Sequence, residues 1–229
     1  EADALHAQGV VLARKGNLEA ADEKLGSALD VLGFDPEETN DVSIIMQAAR
    51  INRDRVFTSA RFGLRDRDPD GIAVAYHSLR YGTDNTLGKI SFASESQYSP
   101  EAWSYLQNEL GASIGLLGRL ATLSIVVGGV ENNDTEAPDK AVAHYEQADR
   151  IIDTNMYYAT SNAVNAARHE RVMGKRLEAA KWIGRAIKYT AGAVKHDRSN
   201  AFSAARAIAA RTFALISQNS SRKSVLKRP

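Results

Sequence analysis

Five histidines, His6, His77, His144, His169 and His196, are the side chains best suited to metal binding or proton transfer near neutral pH. None has another histidine three or four residues away, so no helix carries the paired imidazoles of a zinc site, and surface or groove positions are expected for them. His169 and Glu170 open like a metalloprotease helix, but Met173 stands where the second ligand belongs, and the motif fails. The chain has no cysteine, which excludes thiolate metal sites, iron-sulfur clusters, disulfides and a cysteine nucleophile together. There is no Gly-x-Gly-x-x-Gly after a strand, no phosphate-binding Gly-Lys-Ser and no Gly-x-Ser-x-Gly elbow.

Acidic groups such as Asp66, Asp68 and Asp70, or Glu37 and Glu38, are explained by solvated turns and helix N-termini without any general-acid role. Asn133-Asp134-Thr135 and Asn219-Ser220-Ser221 match the glycosylation acceptor pattern, which is common by chance. The expectation is a protein that is not an enzyme, with no cofactor and no bound metal. Recognition of another macromolecule is what the remaining residues could do.

Charge is distributed unevenly enough to bear on the partner. Residues 1–164 hold 14 Lys and Arg against 25 Asp and Glu, a net of −11, whereas 165–229 hold 15 against 3, a net of +12. The basic C-terminal third, with Arg222, Lys223, Lys227 and Arg228 in its tail, fits an acidic protein segment or, as the alternative, nucleic acid. Against nucleic acid, no helix-turn-helix or RNA-binding signature is present, and the aromatics there are few: Trp182, Tyr189, Phe202 and Phe213. Attraction of opposite ends also makes self-association a third possibility.

The longest apolar stretch, Leu116 to Val127, is interrupted by Gly118, Arg119, Thr122 and Ser124 and falls short of the roughly 20 residues of a membrane span. No membrane partner is expected. The absence of cysteine fits a reducing compartment, so the expected location is cytoplasmic.

The elements that must position these residues are helices. With 44% hydrophobic and 25% charged residues the chain can build an ordinary packed core, and its apolar residues recur at three-and-four spacing without sustained alternation. The spacing predicts a helix over 2–15, broken at Gly16 and Asn17, and a second over 18–32, closed by Gly33 and Pro36. A long helix over 39–65 is expected to bury Ile44, Ile45, Ala48, Ala49, Val56, Ala60 and Leu64. Its cations Arg50, Arg53, Arg61, Arg65 and Arg67 are interleaved with Asp54, Asp66 and Asp68, so local salt bridges are their default. Pro69-Asp70 and Pro138-Asp139 are matching helix starts. Residues 82–98 read as a loop, after which Ser99, Pro100 and Glu101 start a helix running toward Val127. Within it Gly111, Gly115 and Gly118 form a small-residue surface for close packing, and a final helix is expected over 200–217.

The first two helices resemble a tetratricopeptide repeat. Leu5, Gly9 and Leu12 fall at its first-helix positions, Gly16 at the turn, and Ala21, Leu25 and Ala28 at its second-helix positions. The same pattern returns 158 residues later at Gly174, Ala179, Ile183 and Ala186, with Gly26 matched by Gly184. Between them Ile72 and Tyr76 align with Ala141 and Tyr145, while Leu117-Gly118 resembles the Leu-Gly pair of a first helix, which makes 128–137 a lengthened turn. The aligned positions Ala21, Ile72, Ala141 and Ala179 lie 51, 69 and 38 residues apart, against a family unit of about 34, so the repeats are degenerate and carry insertions.

The resemblance implies an all-α superhelical solenoid of antiparallel hairpins over 1–217, followed by a basic tail over 218–229. It also implies that first-helix residues line a concave groove: Asp3, His6, Val10, Ala13 and Arg14, then Ser161, Val164, Asn165, Arg168, Arg171 and Val172. His6, Arg14, Asn165, Arg168 and Arg171 are the candidate partner-binding residues. Arg168 and Arg171 stand one turn apart, so both can address one carboxylate or phosphate, although a solvated face beside Glu170 serves the same residues equally well. The set does not reproduce the lysine and asparagine clamp of chaperone-binding members, and that partner is not carried over. The expected function is a protein-interaction scaffold or regulatory module that holds a peptide or helix of its partner in the groove.

Overall fold

The computed structural model describes residues 1–35, 38–39, 41–83, 98–128, 138–152 and 154–196, with side chains of 138–140 and 193–196 left aside. Among the described residues there are eight helices and no strand. They are α1 (Ala2–Lys15), α2 (Leu18–Leu32), α3 (Val42–Asp66), α4 (Pro69–Gly82), α5 (Pro100–Gly128), α6 (Pro138–Ile151), α7 (Met156–Val172) and α8 (Arg176–His196). Of the expected loop over 82–98, Gly82 instead ends α4, and of the lengthened turn over 128–137, Gly128 instead ends α5; residues 84–97 and 129–137, the helix over 200–217 and the tail over 218–229 lie outside the described residues.

Helix ends fall where the local chemistry puts them. Gly16 takes the left-handed conformation at φ 87° and lets the chain close α1 by returning its amide to Ala13 O, while the amide of Asn17 returns to Leu12 O. Asn17 then caps α2 by accepting the Ala20 amide at 3.4 Å. Gly174 repeats the left-handed turn at φ 75° between α7 and α8. Asp41 accepts the Ser43 amide at 2.8 Å and sets the start of α3, three residues later than the spacing alone predicts. Asp68 accepts the Asp70 amide at 3.0 Å, with Pro69 at the first helical position of α4, and Ser99 Oγ accepts the Ala102 amide at 3.2 Å before α5.

The chain divides into two compact units, Glu1–Thr154 and Asn155–Pro229. In the first, α1–α2, α3–α4 and α5–α6 are packed pairs, and α3 also meets α1, α2 and α5. Each pair is drawn together at a glycine. A Cβ on Gly9 would stand 2.7 Å from Leu25 Cγ, one on Gly63 2.9 Å from Ile72 Cγ1, and one on Gly118 2.9 Å from Tyr145 Cε1. Leu25, Ala28 and Ile51 form one core cluster with Leu5, Leu29 and Leu32 against it; Ile45, Ala49 and Leu106 form another, covered by Phe34, Trp103 and Leu110.

Because α3 has neighbours on several sides, it buries Ile51, Thr58 and Gly63 in addition to Ile45, Ala48, Ala49, Val56 and Ala60; Ile44 and Leu64 are only half-buried. Helix α5 is the most enclosed: Leu106, Ile114, Leu117, Leu120, Ala121 and Ile125 are all buried. It continues well beyond the stretch Leu116 to Val127, and its 29 residues are long and apolar enough to cross a membrane. Two-thirds of its most apolar window (67%) is buried inside the protein. In the second unit α7 and α8 form a hairpin, with Ala163, Ala166 and Ala167 of one and Ala179, Trp182 and Ala186 of the other buried.

Candidate functional site

The predicted groove residues fall into two sets, His6 and Arg14 in the first unit and Asn165, Arg168 and Arg171 in the second. On α1, His6 is half-buried and its Nε2 lies 2.8 Å from Asp54 Oδ2 of α3. Its neighbours are engaged with the same helix: Gln47 donates to Asp3 at 2.5 Å, and Arg61 donates to the carbonyl of Ala13. Arg14 is exposed in the last turn of α1, where its charge complements the helix dipole.

Several arginines of α3 pair with carboxylates of other helices. Arg65 does meet Asp66 at 3.0 Å, and it also meets Glu19 of α2 at 3.1 Å. Arg50 Nε and Arg53 Nη1, however, each donate at 2.7 Å to Glu109 of α5, a carboxylate only 2% exposed. Two cations from one helix thus hold one buried anion on another, an arrangement favoured because a lone charge in a low-dielectric site is costly. Asp54 meets His6 and Asp68 caps α4; Arg65 with Asp66 is the expected kind of local pair, while Arg50 and Arg53 also reach across to α5. Arg119 adds a second link between these helices, its guanidinium 4.1 Å from the ring centre of Phe57.

The other histidines divide. His144 Nε2 lies 2.9 Å from the hydroxyl of buried Tyr76, and His77 is exposed with its ring edge-on to Tyr76. His169 is fully buried rather than at the surface. Among the described residues no three His, Asp or Glu side chains gather as metal ligands would.

The second unit is rich in cations. Over residues 155–192 it has seven cations, Arg168, Arg171, Lys175, Arg176, Lys181, Arg185 and Lys188, against Glu170 and Glu178. Asn165 and Arg168 are half-buried and Arg171 is exposed on one side of α7; Val164 is buried and Glu170 is buried too, so no solvated glutamate flanks the arginines. Lys181 meets Glu178 at 2.7 Å, and Arg185 stacks 4.4 Å from the ring centre of Trp182.

On α8, Leu177, Lys181, Gly184 and Lys188 follow at helical spacing along one exposed row, and Leu177 is 80% exposed. Ile187, 58% exposed, and Arg176 stand beside that row. Aliphatic side chains in open solvent between cations are not apparent from the sequence pattern, which assigns importance to Ala179, Ile183 and Ala186. Compared with protein-family models, curated proteins and solved structures, the chain matches none of them.

Proposed function

We propose that this chain is a non-catalytic interaction protein of the tetratricopeptide kind, and that its basic hairpin α7–α8 holds an acidic, partly apolar segment of a partner protein. The observation that carries this reading is the exposed mixture on α8: Leu177 and Ile187 among Arg176, Lys181 and Lys188. Cations steer an acidic segment to the surface, and the aliphatics supply apolar area that a phosphate backbone would not use. Buried Trp182 offers no ring for a nucleic-acid base, which favours protein over nucleic acid as the partner.

The solenoid part of the proposal rests on neighbour relations inside the first unit. There α1 meets α3 and α3 meets α5, while α2 and α4 each bridge to the first helix of the next pair. Stacked hairpins have this pattern of neighbours. The glycine or alanine at each pair's closest approach supports the family resemblance, since Gly9, Gly63 and Gly118 lie opposite aligned second-helix residues.

The test is capture of partners by the wild-type chain and by the double variant Arg168→Glu with Arg171→Glu, with helicity followed by circular dichroism. The expected result is capture of an acidic protein that the variant weakens at least about tenfold at unchanged helicity, a loss of about 1.4 kcal/mol. Equal capture by both removes the site assignment. A gel shift of RNA or DNA that fades steeply with salt would replace the protein partner with a nucleic acid.

A further inference from the structure

The first unit contains a cleft of about 170 Å³ bordered by α2, α3, α4 and α5. Leu29, Phe34 and Leu79 give it apolar walls, while Asn52, Thr83 and Ser113 place three neutral polar side chains on it. Among the described residues no charged side chain lines it. Thr83 Oγ1 is buried and has no hydrogen-bond partner among the described residues.

A buried hydroxyl without a partner is uncommon because its desolvation is uncompensated, so an occupant that satisfies it gains a hydrogen bond the protein does not make. The volume is close to the roughly 150 Å³ apolar cavity that accommodates a benzene molecule in another protein. The described lining is neutral, which disfavours an ion, and three polar groups beside apolar walls favour an occupant with one polar end over a pure hydrocarbon.

We infer that this cleft binds a small neutral molecule made of one ring-sized apolar body and one hydrogen-bonding group, with Thr83 as the residue that recognises that group. The inference is independent of the basic hairpin, since every lining residue belongs to the first unit.

The experiment titrates the full chain with 4-methylphenol and, separately, with toluene, following backbone amide shifts by NMR. The cleft is expected to bind 4-methylphenol, a ligand of this size, with a Kd of about 0.1–1 mM, shifting amides around Thr83 and Ser113. Thr83→Val keeps the side-chain shape and removes the hydroxyl; it should weaken 4-methylphenol about fivefold to tenfold, as loss of one hydrogen bond does, and leave toluene unchanged. No shift with 4-methylphenol at several times that concentration overturns the site. Equal weakening of both probes, or of neither, overturns the role of Thr83.

Discussion

Gly118 of α5 lies directly against the ring of Tyr145 on α6: a Cβ there would meet Cε1 at 2.9 Å and Cζ at 3.0 Å, with the backbone oxygen of Ala141 at 3.1 Å. Neither a ring held by packing nor a backbone carbonyl can move aside as a flexible chain end does. The Tyr145 hydroxyl is fixed as well, 3.0 Å from Thr122 Oγ1. Gly118→Ala is therefore expected to destabilise the fold by about 1–3 kcal/mol as overpacking does, despite the gain of about 1 kcal/mol that alanine brings to a helix interior. Urea denaturation decides the sign, and a variant as stable as the parent would mean that α5 and α6 can separate without cost.

Gly184 gives the opposite expectation from the same substitution. It sits on the exposed row of α8, and a Cβ there meets nothing within 4 Å. Gly184→Ala should raise thermal stability by about 0.5–1 kcal/mol, because only the helix-propensity gain remains. A lowered melting temperature would show that the position is covered by something in solution.

Those two glycines mark the limit of what the sequence makes legible. Gly9 and Gly16 are readable because close helix approach and a left-handed turn each demand a small residue, and both demands recur along the chain. Helix starts at Asn17, Pro69 and Ser99-Pro100 are readable because capping is local. Gly184 repeats at the interval that matches Gly26, yet among the described residues it packs against nothing, so recurrence alone does not separate a packing glycine from an exposed one. The pairing of Arg53 with Glu109 spans 56 residues, beyond any rule based on neighbours in a helix. A lone acid among Leu106, Leu110 and Ile114 was the available signal that a distant cation had to reach it. The Thr83 cleft is less legible still, since its lining comes from four helices and no short motif contains it.

Glu19 supplies a prediction about pH. Its carboxyl is held below the ordinary range first by a hydrogen bond from its own backbone amide and then by the Arg65 guanidinium; Arg65 in turn is pushed above its usual value by hydrogen bonds to Asp66 and Glu19. A carboxyl whose pKa is lowered by folding stabilises the native state above its unfolded value of about 4, and that contribution is lost as pH falls through the folded value. Glu19→Gln should thus be less stable than the parent near neutral pH, with the difference shrinking as the solution is acidified below about pH 4. The pair is solvent-exposed, so high salt should narrow the difference too. A gap that is constant across pH would place the effect in the helix cap and not in the charge.

The cluster of Arg50, Arg53 and Glu109 carries the largest expected energies. Glu109→Leu leaves two guanidinium groups facing an apolar replacement, and the Arg53 side chain is only 13% exposed while that of Arg50 is 45% exposed. Breaking a buried pair from one side costs about 3–5 kcal/mol, with the lower figure apt here because Arg50 can turn to water. By the same reasoning Arg53→Met should cost more than Arg50→Met, since Arg53 is the less exposed of the two. The triple variant Arg50→Met, Arg53→Met, Glu109→Leu removes these three charges together and should recover part of the stability lost by Glu109→Leu alone, because neither guanidinium is then left without the Glu109 carboxylate. Chemical denaturation of the four variants tests the set. If the triple variant is less stable than Glu109→Leu, the cluster joins α3 to α5 by net attraction, and the desolvation argument fails.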